Sequence, residues 1–166
     1  SFSGAKFSSA MLPPEMLYRL NNESELQAFD AYWNENNTNQ ALSKKTAPKG
    51  MCVVKTFQTD SVDQPITAGL PYDLETASVA LDMWSIGMLL FNLVAMETLV
   101  PSNVDDDFTS ADAMAAVLDW NEDDGEAQQR FHEQVDDLAA RDLIQSLLKR
   151  NPRERLTATQ ALTHAF

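Results

Sequence analysis

The stretch Leu81-Asp82-Met83-Trp84-Ser85-Ile86-Gly87-Met88-Leu89-Leu90-Phe91-Asn92-Leu93-Val94-Ala95-Met96 decides the fold. Only Asp82, Ser85, Gly87 and Asn92 interrupt an otherwise apolar run, and the apolar positions surround the whole helical wheel. A helix of that kind is buried on all sides or sits in lipid. Sixteen residues rise about 24 Å, short of the ~30 Å hydrocarbon layer, and Asp82 would fall inside it. The stretch therefore reads as the central helix of a water-soluble core, enclosed on every face.

Downstream the pattern stays helical. The chain turns at Pro101 and becomes acidic at Asp105, Asp106 and Asp107. Ser110 then suits an N-cap for a helix through about Trp120, with Ala113, Met114, Val117 and Leu118 at helical spacing. After a second acidic break, Glu122-Asp123-Asp124-Gly125, a helix carries Phe131 and Val135. Ala140, Leu143, Ile144, Leu147 and Leu148 follow the stripe of an amphipathic helix. Asp136 and Asp137 flank its positive end, Lys149 and Arg150 its negative end, and Pro152 stops it. Thr157 and Gln160 make a capping box for a last short helix containing Ala161 and Leu162.

Upstream, residues 21–72 differ in composition. Asparagine recurs at 21, 22, 34, 36, 37 and 39, and prolines stand at 48, 65 and 71. Leu26, Phe29, Tyr32 and Trp33 share one helix face, whereas Met51 to Phe57, with Val53, Val54, Thr56 and Phe57, favours a strand. Lys44, Lys45, Lys49 and Lys55 also lie here. The region reads as an exposed subdomain or long insertion with a little structure of its own; a solvated loop without a role is the plainer alternative. Residues 1–20 open on Ser1-Phe2-Ser3-Gly4-Ala5 and reach Leu12-Pro13-Pro14, an extended or turned loop. Glu15 to Leu20 suits a short helix behind it. This opening segment is a loop that docks onto something.

Composition narrows the function classes. The 166 residues, 44% of them hydrophobic, suffice for one globular domain. Twelve basic against 25 acidic residues give a formal charge of -13, which disfavours nucleic acid as a partner. The single cysteine, Cys52, excludes an internal disulfide framework and suits an intracellular, cytoplasmic setting. No signal peptide or membrane partner is indicated, and an opening on Ser1 rather than Met leaves room for an upstream part. The glycines at 4, 50, 69, 87 and 125 are too scattered for a phosphate-cradling loop. His132 and His164 have no companion at metal-ligand spacing, and no serine is marked as an elbow nucleophile. As a self-contained enzyme the chain offers no catalytic, cofactor-binding or metal residues.

Ala140-Arg141-Asp142-Leu143 looks at first like the His-Arg-Asp-Leu catalytic loop of protein kinases, but Ala140 and Leu147 stand where histidine and the magnesium-binding asparagine are needed. Three other motifs, in order, do resemble the protein kinase family. Ser8-Ser9-Ala10-Met11-Leu12-Pro13-Pro14-Glu15 resembles the end of an activation segment. Leu81-Asp82-Met83-Trp84-Ser85-Ile86-Gly87 is similar to the Asp-x-Trp-Ser-x-Gly opening of the family's central helix. Ala140 to Ile144, followed by Asn151-Pro152-Arg153-Glu154-Arg155-Leu156-Thr157-Ala158 and ending at Phe166, looks like the closing subdomain.

The resemblance implies a mainly α fold: the C-terminal part of a kinase large lobe, with a long, partly structured insertion that carries a short strand or hairpin. The whole of 1–166 would be a partial kinase domain, with 1–20 the end of the activation segment, 21–72 the insertion and 73–166 the helical core. By resemblance, Glu15 and Arg155 form an ion pair tying the activation segment to the base of the lobe. Asp82, with Trp84 and Gly87, supports the catalytic loop, and Ser8, Ser9, Met11 and Leu12 position the substrate. The implied activity is transfer of the ATP γ-phosphate to serine or threonine of protein substrates. ATP and Mg2+ would be held by groups upstream of Ser1, so the fragment is expected to bind neither alone. A partner protein on the 21–72 insertion is a further expectation. A pseudokinase that keeps the lobe as a platform, or an unrelated helical protein-interaction domain, are the alternatives.

Overall fold

The computed structural model describes residues 8–35, 48–55, 69–121 and 126–166. These fall into two compact units. One comprises the described part of Glu15–Ala77; the other joins Ser8–Pro14 to Ser78–Phe166. Among the positions singled out from the sequence, residues 1–5, Asn36, Asn37, Asn39, Lys44, Lys45, Thr56, Phe57, Pro65 and 122–125 lie outside the described residues.

In the smaller unit, β1 (Leu17–Arg19) pairs antiparallel with β2 (Cys52–Val54), with Leu17 opposite Val54 and Arg19 opposite Cys52. The Leu20 N–H donates to the Met51 carbonyl and the Lys55 N–H to that of Met16, extending the ladder at both ends. Here the expected short helix over Glu15 to Leu20 is corrected. A 3-10 turn, Pro14–Met16, runs directly into β1. Extended backbone wins because β2 supplies hydrogen-bond partners that one turn of helix would leave unmet.

Helix α1 (Glu23–Glu35) follows. The Asn22 side chain caps it by accepting from the Glu25 N–H at 3.1 Å. Glu25 accepts in turn from both the backbone and the side chain of Asn21, bonds that hold its carboxyl below the usual range. Leu20, Phe29, Val53 and Tyr72 form a buried core flanked by Tyr18, Leu26 and Trp33. The aromatic face expected of the helix thus meets the strand expected from Val53 and Val54.

The larger unit is helical: α2 (Val79–Ala95), α3 (Ala111–Leu118), α4 (Glu126–Gln134), α5 (Leu138–Leu147) and α6 (Ala158–Leu162). The fold is mainly α, as expected. Three of these helices carry side-chain caps at their N-termini. Ser110 accepts from the Ala113 N–H, Asp137 from those of Ala139 and Ala140, and Thr157 with Gln160 closes a full capping box. Met83 of α2 packs with Leu143 and Leu147 of α5, joined by Leu90, Leu156 and Ala161. Phe91 of α2 stacks on Phe131 of α4 at 5.5 Å.

The enclosure expected for α2 is corrected. Met83, Trp84, Gly87, Met88 and Phe91 are buried, but Ile86 is 41% exposed, Leu89 50% and Leu93 62%. These three share one helix face. An all-apolar sequence states what a helix is able to bury, whereas neighbours decide what it does bury, and no described residue covers this side. No helix among the described residues is long and apolar enough to cross a membrane.

Candidate substrate-positioning site

Segment Ser8–Pro14 is short, and its own bonds are few: the N–H groups of Met11 and Leu12 reach back to the carbonyls of Ser8 and Ser9 in one 3-10 turn. Its conformation is fixed from outside, by a tight acidic loop about a hundred positions downstream. Asn103 organises that loop. Its side-chain oxygen accepts from the N–H groups of Asp105 at 2.9 Å and Asp107 at 3.0 Å. Its own N–H donates to the Asp107 carbonyl and its carbonyl accepts from the Asp106 N–H. Asp106 takes a positive φ of 58° to close the turn, a conformation that aspartate tolerates better than most residues.

The loop then grips the segment. One oxygen of the Asp107 carboxylate accepts from the Ser9 N–H at 3.0 Å and from the Ser9 hydroxyl at 3.1 Å. The same hydroxyl accepts from the Phe108 N–H. Ser9 is 4% exposed, and its hydroxyl thus both donates and accepts. On either side, the Ser8 hydroxyl donates to the Asp105 carbonyl and the Ala10 N–H to the Asp106 carbonyl. From α2, the Ser85 hydroxyl donates to the Met11 carbonyl at 2.9 Å, with the Leu81 carbonyl as its alternative acceptor. Asp105 and Asp106 are exposed, as a solvated acidic surface would be, but Asp107 is turned inward and half-buried.

The sequence-derived candidates sort as follows. Ser8, Met11 and Leu12 are half-buried within the gripped segment, and Ser9 is buried. Trp84 is fully buried, its ring meeting Trp120 edge-on at 5.3 Å. Gly87 lies where a Cβ would come within 2.8 Å of a Leu148 methyl and 3.0 Å of the Leu147 Cβ, so its missing side chain lets α2 approach the end of α5. Asp82 stands exposed in the first turn of α2. Arg155 is 5% exposed, and its guanidinium donates to the carbonyls of Lys149, Ala80 and Arg150. Glu15 is half-buried in the 3-10 turn Pro14–Met16 and belongs to the smaller unit. Sequence reasoning missed Asp107, Asn103 and Ser85. An Asn-x-Asp-x-Asp pattern signals a self-bonded turn, but nothing local marks Asp107 as the partner of Ser9.

The chain's C-terminal part matches the family model described as the protein kinase domain, over residues 73–166. That is more than half of the sequence. The chain belongs to the protein kinase domain family. The match sets aside an unrelated helical interaction domain and places the chain among phosphotransferase relatives. Kinase domains use ATP with Mg2+. Among the described residues no group of three or more His, Cys, Asp or Glu side chains could hold a metal ion, and no two glycines are neighbours. The residues described do not fit a nucleotide–metal pair.

Proposed function

We propose that the chain is the substrate-side part of the large lobe of a serine/threonine protein kinase. In this reading Ser8–Leu12 form the edge on which the acceptor peptide lies, with Met11 and Leu12 shaping the pocket for the residue after the phosphorylated one. The observation that carries it is the seating of Ser8–Pro14 on α2, through Ser85 and Met11, α2 itself lying within the residues that match the family model. Asp82, with Trp84 and Gly87, supports the catalytic loop of the complete lobe. Glu15 and Arg155 tie the segment to its base. Protein substrates are the partners, the setting is intracellular, and ATP with Mg2+ is held by groups upstream of Ser1.

Phosphate transfer from labelled ATP to serine, threonine and tyrosine peptides by the full-length protein tests this. Transfer to serine or threonine is the expected result; transfer to tyrosine alone overturns the specificity, and no transfer favours a pseudokinase. The 166-residue chain alone is expected to give no saturable heat of ATP binding in calorimetry; micromolar, magnesium-dependent binding would overturn that. For the ion pair, a double-mutant cycle of Glu15→Ala and Arg155→Ala is expected to show coupling above about 1 kcal/mol, and additivity would separate the two residues.

A further inference from the structure

We infer that Asp107 is a positioning residue for phosphoryl transfer: acting through Ser9, its carboxylate sets the conformation of the substrate-binding segment Ser8–Leu12. The inference rests on the reading of that segment as the substrate edge. Asp107 works through the backbone N–H and the hydroxyl of Ser9. A carboxylate that receives both an N–H and a hydroxyl from one buried serine fixes that residue's position and its rotamer together. Charge-assisted bonds of this kind are stronger than neutral ones. The Ser9 hydroxyl, oriented by donating to Asp107, presents its lone pair to the Phe108 N–H. Loop and segment are therefore held by a closed relay rather than by a single contact. Asn103 accepts from the Asp107 N–H and donates to its carbonyl, which restrains the carboxylate from behind.

An alternative role for the acids, attraction of basic substrates by bulk negative charge, makes a different demand. It requires exposed carboxylates and is indifferent to which one is removed. Asp106 is exposed and Asp107 is not fully so, and the two can be neutralised separately. Asparagine at 107 retains a side-chain oxygen that can accept from Ser9, whereas alanine retains none.

The experiment uses the full-length protein and the variants Asp107→Ala, Asp107→Asn and Asp106→Asn. It reads peptide KM, ATP KM, kcat, and amide hydrogen exchange over 8–12, 103–108 and α5. Asp107→Ala is expected to raise peptide KM by on the order of tenfold and speed exchange over 8–12, because both Ser9 donors lose their charged acceptor. ATP KM and exchange over α5 should stay as in the parent. Asp107→Asn should recover most of the peptide KM, and Asp106→Asn should leave it within about twofold, as surface changes do. An effect of Asp106→Asn on peptide KM equal to that of Asp107→Ala, or unchanged exchange over 8–12 in Asp107→Ala, overturns the inference. Faster exchange with an unchanged peptide KM also overturns it. If the parent protein transfers no phosphate, the functional reading fails; the exchange data then decide the latch alone, and the positioning role falls.

Discussion

The guanidinium carbon of Arg155 lies 5.1 Å from the centre of the Trp84 ring, while its nitrogens donate to the carbonyls of Ala80, Lys149 and Arg150. One buried cation thus joins the start of α2, the turn after α5 and the face of the central tryptophan. Replacing it exposes three acceptors to loss of their partner and removes a cation–π contact. Arg155→Ala is expected to cost on the order of 3 kcal/mol in urea unfolding. Arg155→Lys should recover less than about half of that, because one ammonium cannot match a fork of divergent donors. A loss under about 0.5 kcal/mol for Arg155→Ala would assign the residue to the surface class.

Tyr72 offers a test by pH. Its hydroxyl is buried without a hydrogen-bond partner among the described residues, and burial, reinforced by nearby Tyr32, pushes its pKa far above the usual value for tyrosine. The folded form therefore keeps its proton where the unfolded form begins to lose it. Stability from this group is fully present below about pH 10 and falls as pH rises further. Tyr72→Phe removes an unpartnered hydroxyl, so it should leave neutral-pH stability unchanged or raise it by about 1 kcal/mol, and flatten the alkaline loss. Unfolding followed by tyrosinate absorbance checks both; a marked loss at neutral pH would mean that the hydroxyl has a partner.

Much of this architecture was legible locally. The α5 stripe, its Asp137 cap and the Thr157–Gln160 box depend only on neighbours within a turn or two, and the sequence displays those directly. What failed was non-local. β1 forms because Cys52–Val54 lies alongside it, and a reading of Glu15 to Leu20 alone could not supply that partner. The Ser9–Asp107 bond spans 98 positions, so nothing within a turn or two of Asp107 marked it as the partner of Ser9. For α2 the helix was readable and its surroundings were not.

Gly87→Ala sets two effects against each other. Alanine favours a helix by about 1 kcal/mol over glycine. Here, however, the added methyl would meet Leu148 at 2.8 Å and the Leu147 Cβ at 3.0 Å, and both leucines are buried. Overpacking in a filled core typically costs about 1–3 kcal/mol. The net expectation is a destabilisation of about 1 kcal/mol with a lower Tm. A variant more stable than the parent would show that Leu148 repacks freely.

The exposed face of α2 tests the proposal that the chain is one part of a larger lobe. Leu89 and Leu93 are at least half exposed in this chain, and glutamine is nearly as good a helix former as leucine. Leu89→Gln and Leu93→Gln should therefore change the stability of the 166-residue chain by no more than about 0.5 kcal/mol, while reducing any self-association driven by the apolar stripe. If the upstream part of the lobe, with its catalytic loop, rests on this face, the same residues are core in the full-length protein. Removing each from a core costs about 2–5 kcal/mol, more when a polar amide takes its place. Urea unfolding of both forms measures the difference. Equal tolerance in the two would mean that the upstream chain does not lie on α2, and the lobe reading would lose its physical basis.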